Sequence, residues 1–475
     1  MPDAPKTALL LAHSFPPIST AGVFRILRFV KYLPEFGWQP VVIASATRRG
    51  QVLRDERLLE QVPPGTIVQR LEMSNPEAWI GSLLRTGKPG GKSPNGSTTS
   101  ATTAEPHLTA ALPHATQTWR TWASKLQELL FRTPDENIWW VGPAVRAGLK
   151  AVRETNPDVI YTTGPPHSTH LSGLALRLLT GLPWVADFRD PWSRQPWGQK
   201  RNLWGAKLLP FIERECVRRA SCVILNTGRM ARDFQEHYHQ FPKSKFVAIP
   251  NGFDPDLKPL VGECLRSSSV RAVGSHLRIC HPGSLYHKRD LRPLLDAIRL
   301  LADSGLQVRF ENVGDCVTRP ELEIHVRKLG IEKSVVFENA VPHRDVLQRM
   351  ANSDVLLVIQ PDNALQVPGK LYEMMLFGKQ ILSLTDEGEV TDLVHRYELG
   401  EVARSNDAED IARVIRRLAE CSKKNEASSP KLATLEAFDG RLLTERLADR
   451  FDAVVRDFGS CGEQAMSHSR ELSLI

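Results

Sequence analysis

The chain has 475 residues, too many for one core, and at roughly 150 residues per domain it predicts two or three domains. Its 41% hydrophobic and 24% charged residues are those of a globular protein and exclude a disordered, collagen-like or coiled-coil chain. A net charge of +7 suits phosphates, nucleotides or anionic lipid as partners but falls short of a nucleic-acid footprint, so no nucleic-acid partner is expected.

The first apolar run, Ala8-Leu9-Leu10-Leu11-Ala12, reads as a buried parallel strand. The loop Pro16–Gly22 follows, where two prolines forbid helix. Val23, Ile26, Leu27, Val30 and Leu33 then recur at helical spacing, and Pro40 to Ala44 gives a second buried strand. This opening is a βαβ unit. Residues 87–118 (GKPGGKSPNGSTTSATTAEP and onward) are too polar and too rich in Gly and Ser to bury a face, and read as a disordered insertion. Order resumes near Trp119. Strands are expected at Asp158–Tyr161, Trp184–Ala186, Cys222–Leu225 and Phe246–Ile249, with helices at His170–Leu179 and Ala206–Arg219.

Pro250-Asn251-Gly252 then breaks the chain, and 257–275 reads as an interdomain linker. A second alternation follows. Strands are expected at Leu277–His281, Gln307–Asn312, Val335–Glu338, Val355–Ile359 and Gln380–Leu384. Helices are expected at Leu291–Leu301, Glu321–Leu329, Val346–Ala351 and Lys370–Phe377. Residues 431–458 read as one or two amphipathic helices and 459–475 as a loose tail. The expected fold class is therefore α/β: two tandem Rossmann-like, doubly wound parallel-sheet domains, 1–256 and 276–430, with a cleft between them.

Seven cysteines, an odd number with no CxxC pair, suggest free thiols in a reducing compartment. No stretch approaches the ~20 apolar residues of a membrane span, and the apolar run near Met1 is too short for a signal peptide. The expected location is the cytoplasm, at most peripheral on the inner face of a membrane. The basic residues Lys200, Arg201, Lys207, Arg214, Arg218 and Arg219 either face an anionic surface or form a solvated helix face.

In open α/β sheets ligands bind beyond the carboxyl ends of the strands, so the loops there carry the candidate chemistry. Gly22 precedes a helix whose start can hold a phosphate; a tight strand-to-helix connection explains it equally well. His167 follows the Pro165-Pro166 loop and either meets substrate or packs the loop. Asp187, Arg189 and Asp190 follow the 184–186 strand; Arg189 is expected to neutralise one acid while the other faces the cleft, or the set is a structural ion pair. In the second half, Gly283 allows backbone approach, and Lys288 and Arg289 suit a diphosphate or a solvated basic turn. Gly369 opens a helix, Lys370 adds charge, and Glu373 either accepts two hydrogen bonds from a ribose diol or complements the helix dipole. No metal-ligand cluster is evident: the one Asp-x-Asp, Asp254-Pro255-Asp256, adjoins the linker. G-x-G-x-x-G is absent after either first strand, which argues against a dehydrogenase or epimerase.

Five blocks in this order (SFPPISTAGVFRILRFVKYLPEFGWQPVVIA, DVIYTTGPPHSTHLSGLALRLLTGLPWVADFRDPW, VAIPNGFD, HPGSLYHKRDLRPLLDAI and VPGKLYEMMLFGKQIL) resemble the GT-B nucleotide-sugar glycosyltransferases of family 4. The resemblance implies a retaining, metal-independent hexosyl or glycosyl transfer with no cofactor beyond the nucleoside diphosphate sugar donor. The acceptor it implies is a glycan or lipid-linked sugar, as in polysaccharide biosynthesis. It makes Gly22, Gly283, Lys288, Arg289, Gly369, Lys370 and Glu373 donor ligands. It places His167, Asp187, Arg189 and Asp190 among the acceptor-side and catalytic contacts, and has the final helices packing back across both domains. Two positions depart from the family pattern: Leu365 stands where a second glutamate contacts the donor sugar, and Ser284 where an arginine follows the glycine. Gln366 and Gln360 are the candidate substitutes for that glutamate. The alternative reading is a catalytically inactive scaffold or regulatory partner of the same fold.

Overall fold

The computed structural model describes residues 5–46, 54–73, 133–194, 203–268, 276–286, 289–423 and 432–472. The 87–118 segment and Lys288 lie outside the described residues.

Two parallel sheets organise the chain. The first has seven strands: β1 (Lys6–Leu11), β2 (Trp38–Ser45), β3 (Ile67–Leu71), β4 (Val159–Gly164), β5 (Trp184–Phe188), β6 (Cys222–Leu225) and β7 (Phe246–Ala248), in the order β3-β2-β1-β4-β5-β6-β7. The second has six: β8 (Leu277–His281), β9 (Val308–Val313), β10 (Val335–Glu338), β11 (Val355–Gln360), β12 (Gln380–Thr385) and β13 (Gly400–Ala403), in the order β10-β9-β8-β11-β12-β13. Strand order reverses beside β1 in one sheet and beside β8 in the other, which are the points where doubly wound sheets bind ligands.

Each sheet is buried on both faces, and the side-chain alternation of a strand divides its residues between two cores. Along β1, Leu9 and Leu11 join one cluster while Ala8 and Leu10 join the other. One face of the first sheet is covered by helices Val141–Thr155, Ser168–Thr180, Leu203–Arg219 and Gly228–His237. The other is covered by helix Val23–Tyr32 and by the C-terminal helix Gly440–Leu472, whose Leu443, Leu447 and Phe451 pack with Tyr161 and Trp38. Phe438, just before that helix, lies instead in a core of the second half. The backbone is stitched at this crossing by Phe253 N donating to Phe438 O (3.0 Å) and Gly440 N donating to Phe253 O (2.8 Å).

Two segments differ from expectation. The 257–275 stretch, read as a linker, carries helix Leu257–Arg266, with Val261 and Cys264 buried in the second half's core. Its Pro259 sits in the first turn, where a missing N–H costs nothing. The 459–475 tail is helical as far as Leu472, as a continuation of the C-terminal helix.

Candidate active site

In the second half, the carboxyl ends of β8, β9 and β11 hold a loop over the sheet. Buried His281 shares a 2.8 Å hydrogen bond with Asn312 Oδ1, and Asn312 Nδ2 donates to Gly314 O (2.9 Å). Burial pushes the His281 imidazole down to about 4, so it is neutral at physiological pH. Gly314 has φ +145°, and a Cβ there would lie 2.6 Å from the Gly283 carbonyl carbon, so only glycine lets the Gly283 loop settle this close. Leu285 N donates to Asp315 O (2.8 Å) and fixes the loop's far side.

Arg289 leaves this loop and folds back under it. Its guanidinium donates to Ser284 O (3.0 Å) and Gln360 Oε1 (3.3 Å) and lies over the Tyr286 ring. Burial lowers its pKa, yet an arginine stays protonated in a protein. Among the described residues no carboxylate meets it, so a partly buried cation has only neutral partners. That arrangement favours an anionic ligand.

Glu373 stands nearby on helix Gly369–Met374. Three-residue spacing puts Lys370 on the same face, with Nζ 2.8 Å from Glu373 Oε2. His343 Nε2, at the start of helix His343–Asn352, is 2.9 Å from the same oxygen. Burial alone would raise the Glu373 carboxyl, but Lys370 and His343 override it and hold it at about 2. The Glu373 side chain remains 21% exposed, an ionised acceptor open to a ligand. The charge of buried Arg28, from helix Val23–Tyr32 of the first half, also reaches Glu373.

On the first-half side, Arg189 donates to Gly22 O, Gly164 O and Pro165 O and so clamps the β1 and β4 loops together. A Cβ at Gly22 would collide with that guanidinium, which explains the glycine by close approach. Asp187 is fully buried and is neutralised by Arg25, while the Arg189 charge acts most strongly on Asp190. Arg25 Nε and Nη2 reach its two oxygens at 2.8 and 3.0 Å, and Tyr161 Oη (2.5 Å) and Thr163 Oγ1 (3.1 Å) donate as well. Burial would raise this carboxyl too, and Arg25 holds it below its ordinary value. His167 is buried and stacks on Trp192, with ring centroids 5.0 Å apart. Asp190 is the acid that turns to the second half, accepting from Gln366 Nε2; burial raises its pKa.

The two halves meet around these groups. Thr227 Oγ1 donates to Leu365 O (2.6 Å), and the Leu365 side chain packs on the first half's core. Glu389 accepts from Gly228 N (3.1 Å) and Arg229 N (2.7 Å), capping a helix that belongs to the other half, and Arg229 pairs with Asp392. Of the two expected glutamate substitutes, Gln366 therefore meets Asp190 and Gln360 meets Arg289. The structure thus brings Glu373, Lys370 and Arg289 to one side of the gap and Gly22, Arg189 and Asp190 to the other. It withdraws Asp187 and His167 into the first half. Sequence reasoning missed Arg25, Arg28, His343 and Glu389. For Arg25 and Arg28 a signal existed: two arginines on the apolar face of an amphipathic helix.

Residues 93–252 match the Glycosyl transferase 4-like domain family, and residues 276–421 match Glycosyl transferases group 1. A 2-deoxystreptamine glucosyltransferase from Streptomyces kanamyceticus is 27% identical over 247 residues, 51% of this chain and 60% of that protein. The match thus spans less than two thirds of the relative. HepE from Anabaena, solved in complex with UDP, superposes with a TM-score of 0.61 at 17% identity, covering 94% of this chain and all of that one. A sucrose-phosphate synthase from Thermosynechococcus elongatus gives 0.59 at 14% identity, covering 98% of this chain and 100% of that one. With its two halves matching consecutive glycosyltransferase families and its two sheets arranged as in those structures, the chain belongs to the glycosyltransferases of GT-B fold.

Proposed function

We propose that the protein transfers a sugar from a nucleoside diphosphate sugar to an acceptor hydroxyl, with retention of anomeric configuration and without a metal ion. The observation that carries this reading is the pairing, on one wall of the gap, of the acid-free Arg289 guanidinium with the ionised, solvent-reaching Glu373. Glu373 accepts two hydrogen bonds from the ribose diol of the donor. Arg289 and Lys370, with Lys288, hold the diphosphate, and Gly22, Gly283 and Gly369 let the backbone approach it. As the anomeric C–O bond to the diphosphate breaks, negative charge grows on the leaving group, and these cations stabilise it. A new C–O bond forms to the acceptor oxygen, whose proton leaves with the diphosphate.

Asp190 and His167 belong to the acceptor side. Asp187 and Arg189 act through others, as positioning residues that fix the β1 and β4 loops. The acceptor is a glycan or lipid-linked sugar of the kind used in polysaccharide assembly. Such an acceptor puts the enzyme at the inner, anionic face of a membrane. HepE, solved with UDP-glucose, makes UDP-sugars the first donors to test. The test is release of nucleoside diphosphate from UDP-, GDP-, ADP- and TDP-sugars by the purified chain. Turnover of one donor, lost in Arg289→Ala, is the expected result. No release from any donor, with the protein folded, would favour the inactive scaffold.

A further inference from the structure

The described surface carries a cavity of about 490 Å³ far from the gap, lined by Arg177, Leu178, Gly181, Arg218, Arg219 and Phe458. Helix Ser168–Thr180 starts beside the gap, just after β4, and ends at this cavity, just before β5. At 1.5 Å per residue, its length puts the cavity roughly 20 Å behind the candidate active site. Helix Leu203–Arg219 ends here too, before β6, and Phe458 arrives on the C-terminal helix.

Three guanidinium groups converge with little to balance them. Arg218 pairs with Glu215 at 2.5 Å. Arg177 is occupied only by the carbonyls of Gly181 and Leu182 and by the face of Phe458, 4.6 Å away. Among the described residues, neither Arg177 nor Arg219 forms an ion pair; the only carboxylate that the charge of Arg219 reaches is Glu215, which Arg218 already holds. Burial and the nearby charge of Arg219 both lower the Arg177 pKa, as expected where cations crowd without an anion. Leu178 in the lining is 56% exposed, and the helices that bring Arg177 and Arg218 here also carry exposed Leu179 (63%) and Phe211 (60%). Phe211, Arg214 and Arg218 follow one another at helical spacing, so the apolar and basic groups share one face. A small anion in water would be satisfied by the arginines and leaves the leucines and Phe211 unexplained. A bilayer surface uses both: phosphates meet the guanidinium groups while the apolar rim enters the headgroup region.

We propose that this cavity and its rim are a docking site for an anionic phospholipid surface. Arg177, Arg218 and Arg219 receive lipid phosphates, and Leu178, Leu179, Phe211 and Phe458 form the inserting rim. The proposal rests on the membrane-side reading above and gives it a place: the face opposite the gap, so that the gap stays open while the protein is docked.

The test is co-sedimentation of the full chain with vesicles of phosphatidylcholine containing about 30% phosphatidylglycerol, and with phosphatidylcholine alone. Two variants are compared with it, Arg218→Glu/Arg219→Glu and Leu178→Asp/Leu179→Asp; circular dichroism and UDP binding report that they are folded. The expected result is binding to the anionic vesicles alone, suppressed at about 0.5 M salt and weakened at least tenfold in each variant. If the wild type stays in the supernatant at low salt, both the membrane reading and the site are overturned. If it binds and the folded variants bind equally, the site is overturned and the membrane reading stands. Binding of glycerol phosphate without vesicle binding would also overturn the proposal, in favour of a soluble anion.

Discussion

The burial of Asp187 makes a sharp prediction, because it separates a positioning residue from a chemical one. In Arg25→Met, Asp187 loses both guanidinium bonds but keeps the Tyr161 and Thr163 hydroxyls. Removing one partner of a buried pair costs about 3–5 kcal/mol, and the two remaining donors place this case near 3. Loss of the bond from Arg25 to Pro250 O, 2.9 Å long, adds about 1 kcal/mol. Urea unfolding followed by tryptophan fluorescence should therefore show a destabilisation of about 4 kcal/mol at pH 7. The pH dependence carries a sign. In the wild type the Asp187 carboxyl lies below its ordinary 3.8, so the pair's contribution is complete above that value and is lost as pH falls through the lowered one. In the variant the Tyr161 and Thr163 hydroxyls and the Arg189 charge still oppose burial, but without Arg25 the carboxyl rises above its wild-type value. The penalty is then full above the raised value and shrinks as pH falls and Asp187 takes up a proton. Arg25→Met/Asp187→Asn, which removes the buried charge, should recover part of the loss. A cost below about 1 kcal/mol, or one that grows as pH falls from 7 towards 4, would refute the reasoning. So would Asp187→Asn abolishing turnover at full stability.

Other outcomes follow from the packing. Gly314→Ala forces a Cβ into the Gly283 loop at a φ that L residues avoid, so nucleotide affinity should fall at least tenfold in titration while the fold persists. Phe451 is fully buried and meets the Trp38 and Tyr161 rings edge-on, at 5.2 and 5.8 Å. Phe451→Ala should cost about 3–5 kcal/mol in denaturant unfolding, although the residue lies far from the first half in sequence.

What the amino-acid order reveals here is what parallel sheets advertise locally. Leu9-Leu10-Leu11 and Leu356-Leu357-Val358 are continuous apolar runs because both faces of their strands are covered. The edge strand Ile67–Leu71 is half exposed, has no such run and escaped notice. So did helix Gly228–His237, in which Met230, Ala231 and Phe234 are the buried residues among charged ones. The candidate site divides in the same way. Lys370 and Glu373 are a local pair, three residues apart on the helix whose start Pro368 and Gly369 mark in the sequence. Arg25 finds Asp187 162 residues away and Glu389 caps a helix 160 residues before it, and no local pattern encodes such meetings. Of the two acids beside Arg189, its charge acts most strongly on Asp190, and the distant Arg25 takes Asp187.

Calorimetric titration of nucleoside diphosphates, UDP first, into the wild-type chain and Arg289→Ala tests the central claim most directly. Charge-assisted bonds from one guanidinium to a diphosphate contribute about 3 kcal/mol, so the variant should bind roughly a hundredfold more weakly. Saturable wild-type binding with that loss would match the account. No heat with any nucleotide, or equal affinity in the two proteins, would contradict it.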